Sequence, residues 1–167
     1  MGNWLSLPIL ALAAMLQASF VPQIRILGGV PDLVFLFVLA WSIHMPLEAG
    51  VTWAFVGGIL QDLLSAAPTG TSTLGMILAV FGVSLVHRQV YGVGVAVIAA
   101  LVLVGTLVQQ IMLMLILSMS GYTINPIESF SYVVVPTIAY NLVFILPIYW
   151  FVRRLQKRYI RTSQITA

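Results

Sequence analysis

Long apolar runs separated by short polar connections extend through almost the whole of this sequence. A helix that crosses a bilayer needs about 20 mainly apolar residues. Of the 167 residues, 61% are hydrophobic and 7% are charged, whereas a soluble domain carries about 25% charged residues. Because the bilayer interior offers no water to backbone groups, apolar runs of this length fold as helices. We therefore predict an all-α integral membrane protein.

Six such runs can be separated, and we predict that they form one six-helix transmembrane domain over residues 1–152. The connections between the runs are too short to fold as a soluble domain. We expect residues 153–167 to form a basic tail that follows this domain. The expected spans are residues 4–21, 32–45, 48–64, 73–86, 93–120 and 130–152.

Basic residues concentrate at the end of the sequence, and this fixes the expected orientation. Loops rich in Lys and Arg face the cytoplasm, so the tail is expected there, and with six spans the N-terminus lies on the same side. Arg88 then also lies inside and Arg25 outside. The tail residues are expected at the membrane surface, where they contact anionic lipids or a cytoplasmic partner, or only anchor the topology. They are Arg153, Arg154, Lys157, Arg158 and Arg161.

The sequence contains four acidic residues, and each needs an explanation because a charge at membrane depth is costly. Asp32, Glu48 and Glu128 each follow a proline by one or two positions. Proline suits the first turn of a helix, and a carboxylate there meets the positive end of the helix dipole. Asn125 and Glu128 also have the spacing of a capping box. We interpret these three acids as helix starts.

Asp62 is different because it lies near the end of the third span, where the helix dipole disfavours a carboxylate. Three roles remain open for it. It can pin the following turn, residues 65–72, by accepting hydrogen bonds from N–H and hydroxyl groups; it can bind a partner or substrate; or it can be a proton site in transport.

Polar side chains inside the spans are the remaining candidates. Gln109 and Gln110 lie midway along the fifth span, and their amides are expected to form interhelical hydrogen bonds, either within this bundle or with a foreign helix. Tyr140 and Asn141 lie between two prolines of the last span, and either side chain could satisfy carbonyls freed by the bends. The candidate partner-binding or structural polar residues are Gln61, Asp62, Gln109, Gln110, Tyr140 and Asn141.

Signatures of catalysis are absent from the sequence. It has no G-x-S-x-G elbow, no H-E-x-x-H pair and no Gly-rich phosphate loop. It also has no cysteine, so thiolate nucleophiles and thiolate metal ligands are excluded. We expect no catalytic residues, no metal site, no cofactor and no nucleic-acid partner.

Several short motifs occur in a characteristic order along the chain. Val30-Pro-Asp-Leu33 opens the second span, and Gly58-Ile-Leu-Gln-Asp-Leu-Leu-Ser65 closes the third. Pro68-Thr-Gly70 follows, and Pro136-Thr-Ile-Ala-Tyr-Asn141 lies in the last span, before the basic tail. In length, span layout and motif order the chain resembles the MreD family of the bacterial rod-shape machinery, the elongasome.

This resemblance implies a non-catalytic scaffold subunit of the bacterial inner membrane that helps to organise peptidoglycan synthesis during rod elongation. It implies MreC, which has a single membrane helix, as the direct partner. It also implies MreB and the RodA–penicillin-binding protein synthase in a larger assembly. The family is similar in fold to the substrate-binding subunits of energy-coupling-factor transporters. A small-solute, vitamin-type transport subunit is therefore the alternative, although few groups here can recognise a polar vitamin.

Overall fold

The computed structural model describes residues 6–24, 28–65, 69–87, 94–121 and 130–163. All the long secondary-structure elements in these ranges are α-helices. This confirms the all-α prediction. A 3₁₀ turn, Val21–Ile24, follows the first helix, and a π-helical turn, Phe130–Val134, leads directly into the last. The six helices in the described ranges are α1 Ser6–Ser19, α2 Leu33–Ser42, α3 Leu47–Leu64, α4 Thr71–His87, α5 Val95–Met119 and α6 Val135–Ser163.

Two segments of the described chain are long and apolar enough to cross a membrane. They are Val95–Met119 and Phe130–Lys157. Three further apolar helices are shorter, Leu7–Ser19, Leu33–Ser42 and Thr71–Leu85. With ten residues, α2 is about 15 Å long, which is half the thickness of a bilayer core. The backbone of residues 28–32, which leads into α2, is non-helical. Residues 29–32 of this segment are buried or half-buried.

Helix α2 lies at the centre of the bundle and contacts α1, α3, α4 and α6. Eight of its ten residues are buried, as expected for a helix with no polar face. Around it, α3 packs on α4, α4 on α5, and α5 on α6. Trp41 at the end of α2 stacks on Trp53 of α3 with 4.0 Å between ring centroids. The apolar core therefore surrounds α2.

The last helix continues without a break beyond the predicted span. Helix α6 has 29 residues and ends at Ser163, so it is about 43 Å long. The first part of the segment that was predicted as a basic tail is thus helical and extends the sixth span. Arg25, Arg88, Asn125 and Glu128 lie outside the described residues, and the predictions for them are not addressed by the structure.

Glycine allows α3 and α4 to approach closely. A Cβ atom added at Gly58 would lie 2.8 Å from the backbone nitrogen and 2.7 Å from the side-chain oxygen of Thr73. Backbone atoms cannot move aside as a flexible side chain can, so this position requires glycine. Gly82, on the other side of α4, has nothing within 4 Å of an added Cβ.

We expect Gly58→Ala to destabilise the bundle by about 1–3 kcal/mol, because the added methyl group forces α3 and α4 apart. Thermal unfolding of the detergent-solubilised protein measures this as a lower midpoint. Gly82→Ala is the matched control and should leave the midpoint unchanged or slightly raised. Equal thermal unfolding midpoints for the two variants would contradict the close approach of α3 and α4 at Gly58.

Candidate functional site

Asp32 begins helix α2, as predicted. Its Oδ1 atom accepts a hydrogen bond of 3.1 Å from the backbone nitrogen of Phe35, which is the contact of an N-cap residue. The side chain is nearly buried, at 8% exposure. An N-cap at a membrane surface would be exposed to water. The burial of Asp32 shows that the capping role does not account for its whole environment.

Amide groups from three other helices surround the Asp32 carboxylate. Its Oδ2 atom accepts hydrogen bonds from Gln109 Nε2 of α5 at 2.6 Å and from Gln61 Nε2 of α3 at 2.9 Å. Gln17 of α1 lies beside the same carboxylate, and its Oε1 atom accepts from the backbone nitrogen of Val34 at 3.0 Å. Both carboxylate oxygens are therefore engaged, by donors from different helices.

Helix α6 completes the arrangement through Asn141, which is fully buried. Its Oδ1 atom accepts from the backbone nitrogen of Asp32 at 2.9 Å. Its Nδ2 atom donates to Thr106 Oγ1 of α5 at 3.0 Å. We call the residues joined in this way the Asp32 network. Its members are Gln17, Asp32, Gln61, Thr106, Gln109 and Asn141.

The network lies deep in the bundle. Gln109 is the fifteenth residue of α5, a 25-residue apolar helix that is long enough to cross a bilayer. Among the described residues, no Lys or Arg side chain forms a hydrogen bond with Asp32, so amide and backbone dipoles supply its stabilisation. Removing a carboxylate from water at this depth costs several kcal/mol unless such donors are present. The network therefore depends on all its donors.

Asp62 stabilises the turn between α3 and α4 and is 3% exposed. Its oxygens accept from the backbone nitrogens of Gly70 and Ser72, at 2.8 and 2.9 Å. They also accept from the backbone nitrogen of Thr73 at 3.4 Å and from its hydroxyl at 2.9 Å. Gly70 adopts the left-handed conformation, φ 99°, that the turn requires. These contacts correspond to the first of the three roles considered for Asp62, which is to pin the turn. They also place the carboxylate at the N-terminus of α4.

The other candidate residues divide between the network and its surroundings. Tyr140 donates from its hydroxyl to the carbonyl of Ile24 at 2.8 Å and so ties α6 to the turn after α1. The described side-chain partners of Tyr140 and Asn141 lie in other parts of the bundle and not in their own helix. Gln110 is half-buried, and its Oε1 atom has no donor among the described residues.

Sequence reasoning missed the second role of Asp32 and the participation of Gln17 and Thr106. Gln17 lies in the first span, like Gln109 in the fifth, and an amide at such a position needs a partner on another helix. The unusually short second span was the available signal. A span of about half the bilayer thickness places its first residue at membrane depth, where Asp32 requires donors.

Among the basic residues at the end of α6, Arg153, Arg154 and Lys157 are exposed. The guanidinium carbon of Arg154 lies 5.2 Å from the centroid of the Trp150 ring, within the range of a cation–π interaction. The side chains of Arg158 and Arg161 are not among the described ones.

The described residues contain no group of three or more His, Cys, Asp or Glu side chains that could hold a metal ion. The described buried carboxylates, Asp32 and Asp62, each accept hydrogen bonds from donors of the chain itself.

The fold and site thus define a helical membrane protein whose buried polar groups join its helices. A family model for the rod shape-determining protein MreD matches residues 1–159. The chain belongs to the MreD family and is a rod shape-determining membrane protein.

Family membership confirms the resemblance drawn from the motifs. No curated protein and no solved structure matches the chain. The similarity in fold to energy-coupling-factor transporter subunits therefore stays a prediction.

We expect Asp32→Asn to destabilise the protein by about 2–4 kcal/mol, because in either orientation the new carboxamide nitrogen faces a donor, either the backbone N–H of Phe35 or the amides of Gln61 and Gln109. Thermal unfolding in detergent measures the loss. Glu48→Gln makes the same chemical change at an exposed acid in the first turn of α3 and should have little effect. An Asp32→Asn variant as stable as the parent would show that the network does not hold the bundle together.

Proposed function

We propose that this chain is a non-catalytic scaffold subunit of the elongasome in the bacterial inner membrane. In this role it binds MreC and helps to organise peptidoglycan synthesis during rod elongation. The observation that carries the proposal is the Asp32 network, which links α1, α2, α3, α5 and α6 through hydrogen bonds of 2.6–3.0 Å. A bundle joined in this way offers a partner one rigid surface.

The same network argues against acid–base chemistry as the main role of the buried carboxylate. A general acid or base needs a free position within hydrogen-bond reach of a substrate. Both oxygens of Asp32 are occupied by donors of the chain itself. A structural role, in which the Asp32 carboxylate holds the helices in place, accounts for all its contacts.

We place the partner helix in a groove between α4 and α5. Its cavity has a volume of about 530 Å³. Small residues allow helix backbones to approach closely in a membrane, where dispersion contacts drive association. The open space beside Gly82 shows that no side chain of the described protein fills the groove there. The small residues that line it are Ala79, Gly82, Ala96, Ala100 and Gly105.

The proposed assembly has a defined orientation. We propose a multi-pass protein with both termini in the cytoplasm, because the basic end of α6 follows the positive-inside rule. MreC would then contribute one membrane helix to the α4–α5 groove. MreB and the RodA–penicillin-binding protein synthase would join through the larger complex and not through the Asp32 network, whose central residues Asp32, Gln109 and Asn141 are buried.

We expect Ala100→Leu to reduce co-purification of MreC from native membranes by about tenfold or more, because the larger side chain occupies the groove. The amount of MreC per tagged subunit after mild solubilisation measures the effect. Ala139→Leu is the matched control, since Ala139 is also an exposed alanine, on α6, and should leave MreC bound.

Two outcomes would contradict this proposal. If the unaltered chain is isolated from native membranes without MreC, the scaffold role in this form is wrong. If MreC binds the unaltered chain and both variants equally, the partnership stands but the groove is not its site. A thermal unfolding midpoint for each variant excludes general misfolding as the cause of a loss.

A second candidate function, binding of a small solute, is favoured by one further cavity. It has a volume of about 340 Å³ and lies between α1, α2 and α3. Gln17 and Gln61 form part of its wall, and this volume is within the range of ligand sites. A native mass spectrum with a co-purified small molecule would support a transport subunit. A spectrum of the bare chain would count against it.

A further inference from the structure

One face of α6 changes in chemical character along its length. Val143, Leu146 and Trp150 are 68%, 50% and 63% exposed, and Arg154 and Lys157 are exposed beyond them. Successive spacings of three or four residues place these five side chains on one face of the helix. We call them the α6 stripe. The opposite face is buried in the bundle, through Ile145, Ile148, Val152 and Gln156.

The order of groups along the stripe matches the order of groups in a phospholipid. At 1.5 Å per residue, Val143 lies about 10 Å before Trp150, and Lys157 lies about 10 Å after it. Aliphatic side chains suit acyl chains, and tryptophan prefers the interface at the level of the headgroups. Arginine and lysine at the next level suit a phosphate group.

The basic end of the stripe is held in position. The guanidinium of Arg154 lies over the Trp150 ring, which restricts its orientation while leaving N–H groups free to bind a phosphate. The helix itself is anchored at this level, because Gln156 Nε2 donates to the carbonyl of Trp41 at 3.2 Å. Of the three described acids, Asp32 and Asp62 are buried and engaged elsewhere. Glu48, exposed in the first turn of α3, forms no ion pair within 4.0 Å with a described basic side chain.

We propose that the α6 stripe binds one anionic phospholipid, with an acyl chain along Val143 and Leu146 and the phosphate at Arg154 and Lys157. Charge complementarity selects this occupant over a neutral lipid, and the apolar part of the stripe selects it over a soluble anion. The inference is independent of the proposed scaffold function, since it needs no partner protein.

The test is native mass spectrometry of the full chain released from nanodiscs that contain phosphatidylglycerol and phosphatidylcholine. We expect phosphatidylglycerol to remain bound preferentially. Arg154→Gln and Lys157→Gln should each weaken its retention by about fivefold, because each removes one basic group near the phosphate. Trp150→Leu should also weaken retention, since it removes the ring on which Arg154 rests.

Arg153→Gln provides a matched control. It removes the same charge from an exposed position one residue away, which points about 100° around the helix. It should retain phosphatidylglycerol like the parent chain. If Arg153→Gln and Arg154→Gln weaken phosphatidylglycerol retention equally, the lipid is held by general attraction to a basic helix end. That result would contradict the proposed site.

Two further results would also overturn it. One is retention of phosphatidylcholine equal to that of phosphatidylglycerol. The other is unchanged lipid retention in Arg154→Gln together with loss of a co-purifying protein, which would assign the basic end to a protein contact. Thermal unfolding midpoints for all variants show whether they remain folded.

Discussion

A carboxylate buried among apolar helices needs hydrogen-bond donors from its neighbours, and the arrangement of this bundle follows from how Asp32 obtains them. The donors come from α3 and α5 by side chain and from α2 by backbone. The backbone of Asp32 is in turn held by α6. Because an unsatisfied charge at this depth costs several kcal/mol, each of these helices is held at a defined depth relative to the others. Apolar packing alone does not specify depth so closely, since aliphatic surfaces can slide past one another.

The short α2 helix makes this network necessary. Residues 28–32 lead into the helix without helical hydrogen bonds, and irregular backbone is tolerated at membrane depth only where protein groups satisfy it. Side chains of α6 serve this purpose, since Thr137 accepts from the backbone nitrogen of Val30 at 3.4 Å and Asn141 accepts from that of Asp32. Gly29 also lies against Pro136, so close that an added Cβ would overlap the α6 backbone. The start of α2 and the start of α6 thus form one structural unit.

Buried polar groups and exposed surfaces serve different purposes in this protein. The carboxylates of Asp32 and Asp62 are buried and accept hydrogen bonds from the chain itself, so they help to define the shape of the bundle. The side chains of the α6 stripe and part of the α4–α5 groove are exposed, and these are the surfaces that we propose for binding other molecules. The proposed scaffold function needs both properties. A rigid interior keeps the surface constant, and a surface with distinct apolar and basic regions can distinguish a partner helix from a lipid.

Local pattern was sufficient to predict the helices and the membrane class, and it offered turn pinning as one of three roles for Asp62. Apolar length and breaker residues act over a few turns, and Asp62 binds residues only 8 to 11 positions away. The same reasoning identified Asp32 as a helix start but not as the centre of a network. Its partners Gln109 and Asn141 lie 77 and 109 positions away. Sequence alone therefore determined which segments are helical and that the chain belongs in a bilayer, because burial of apolar length is a local property. Only the tertiary structure decided which polar groups meet, because a hydrogen bond depends on positions within a few tenths of an ångström that packing of distant helices sets.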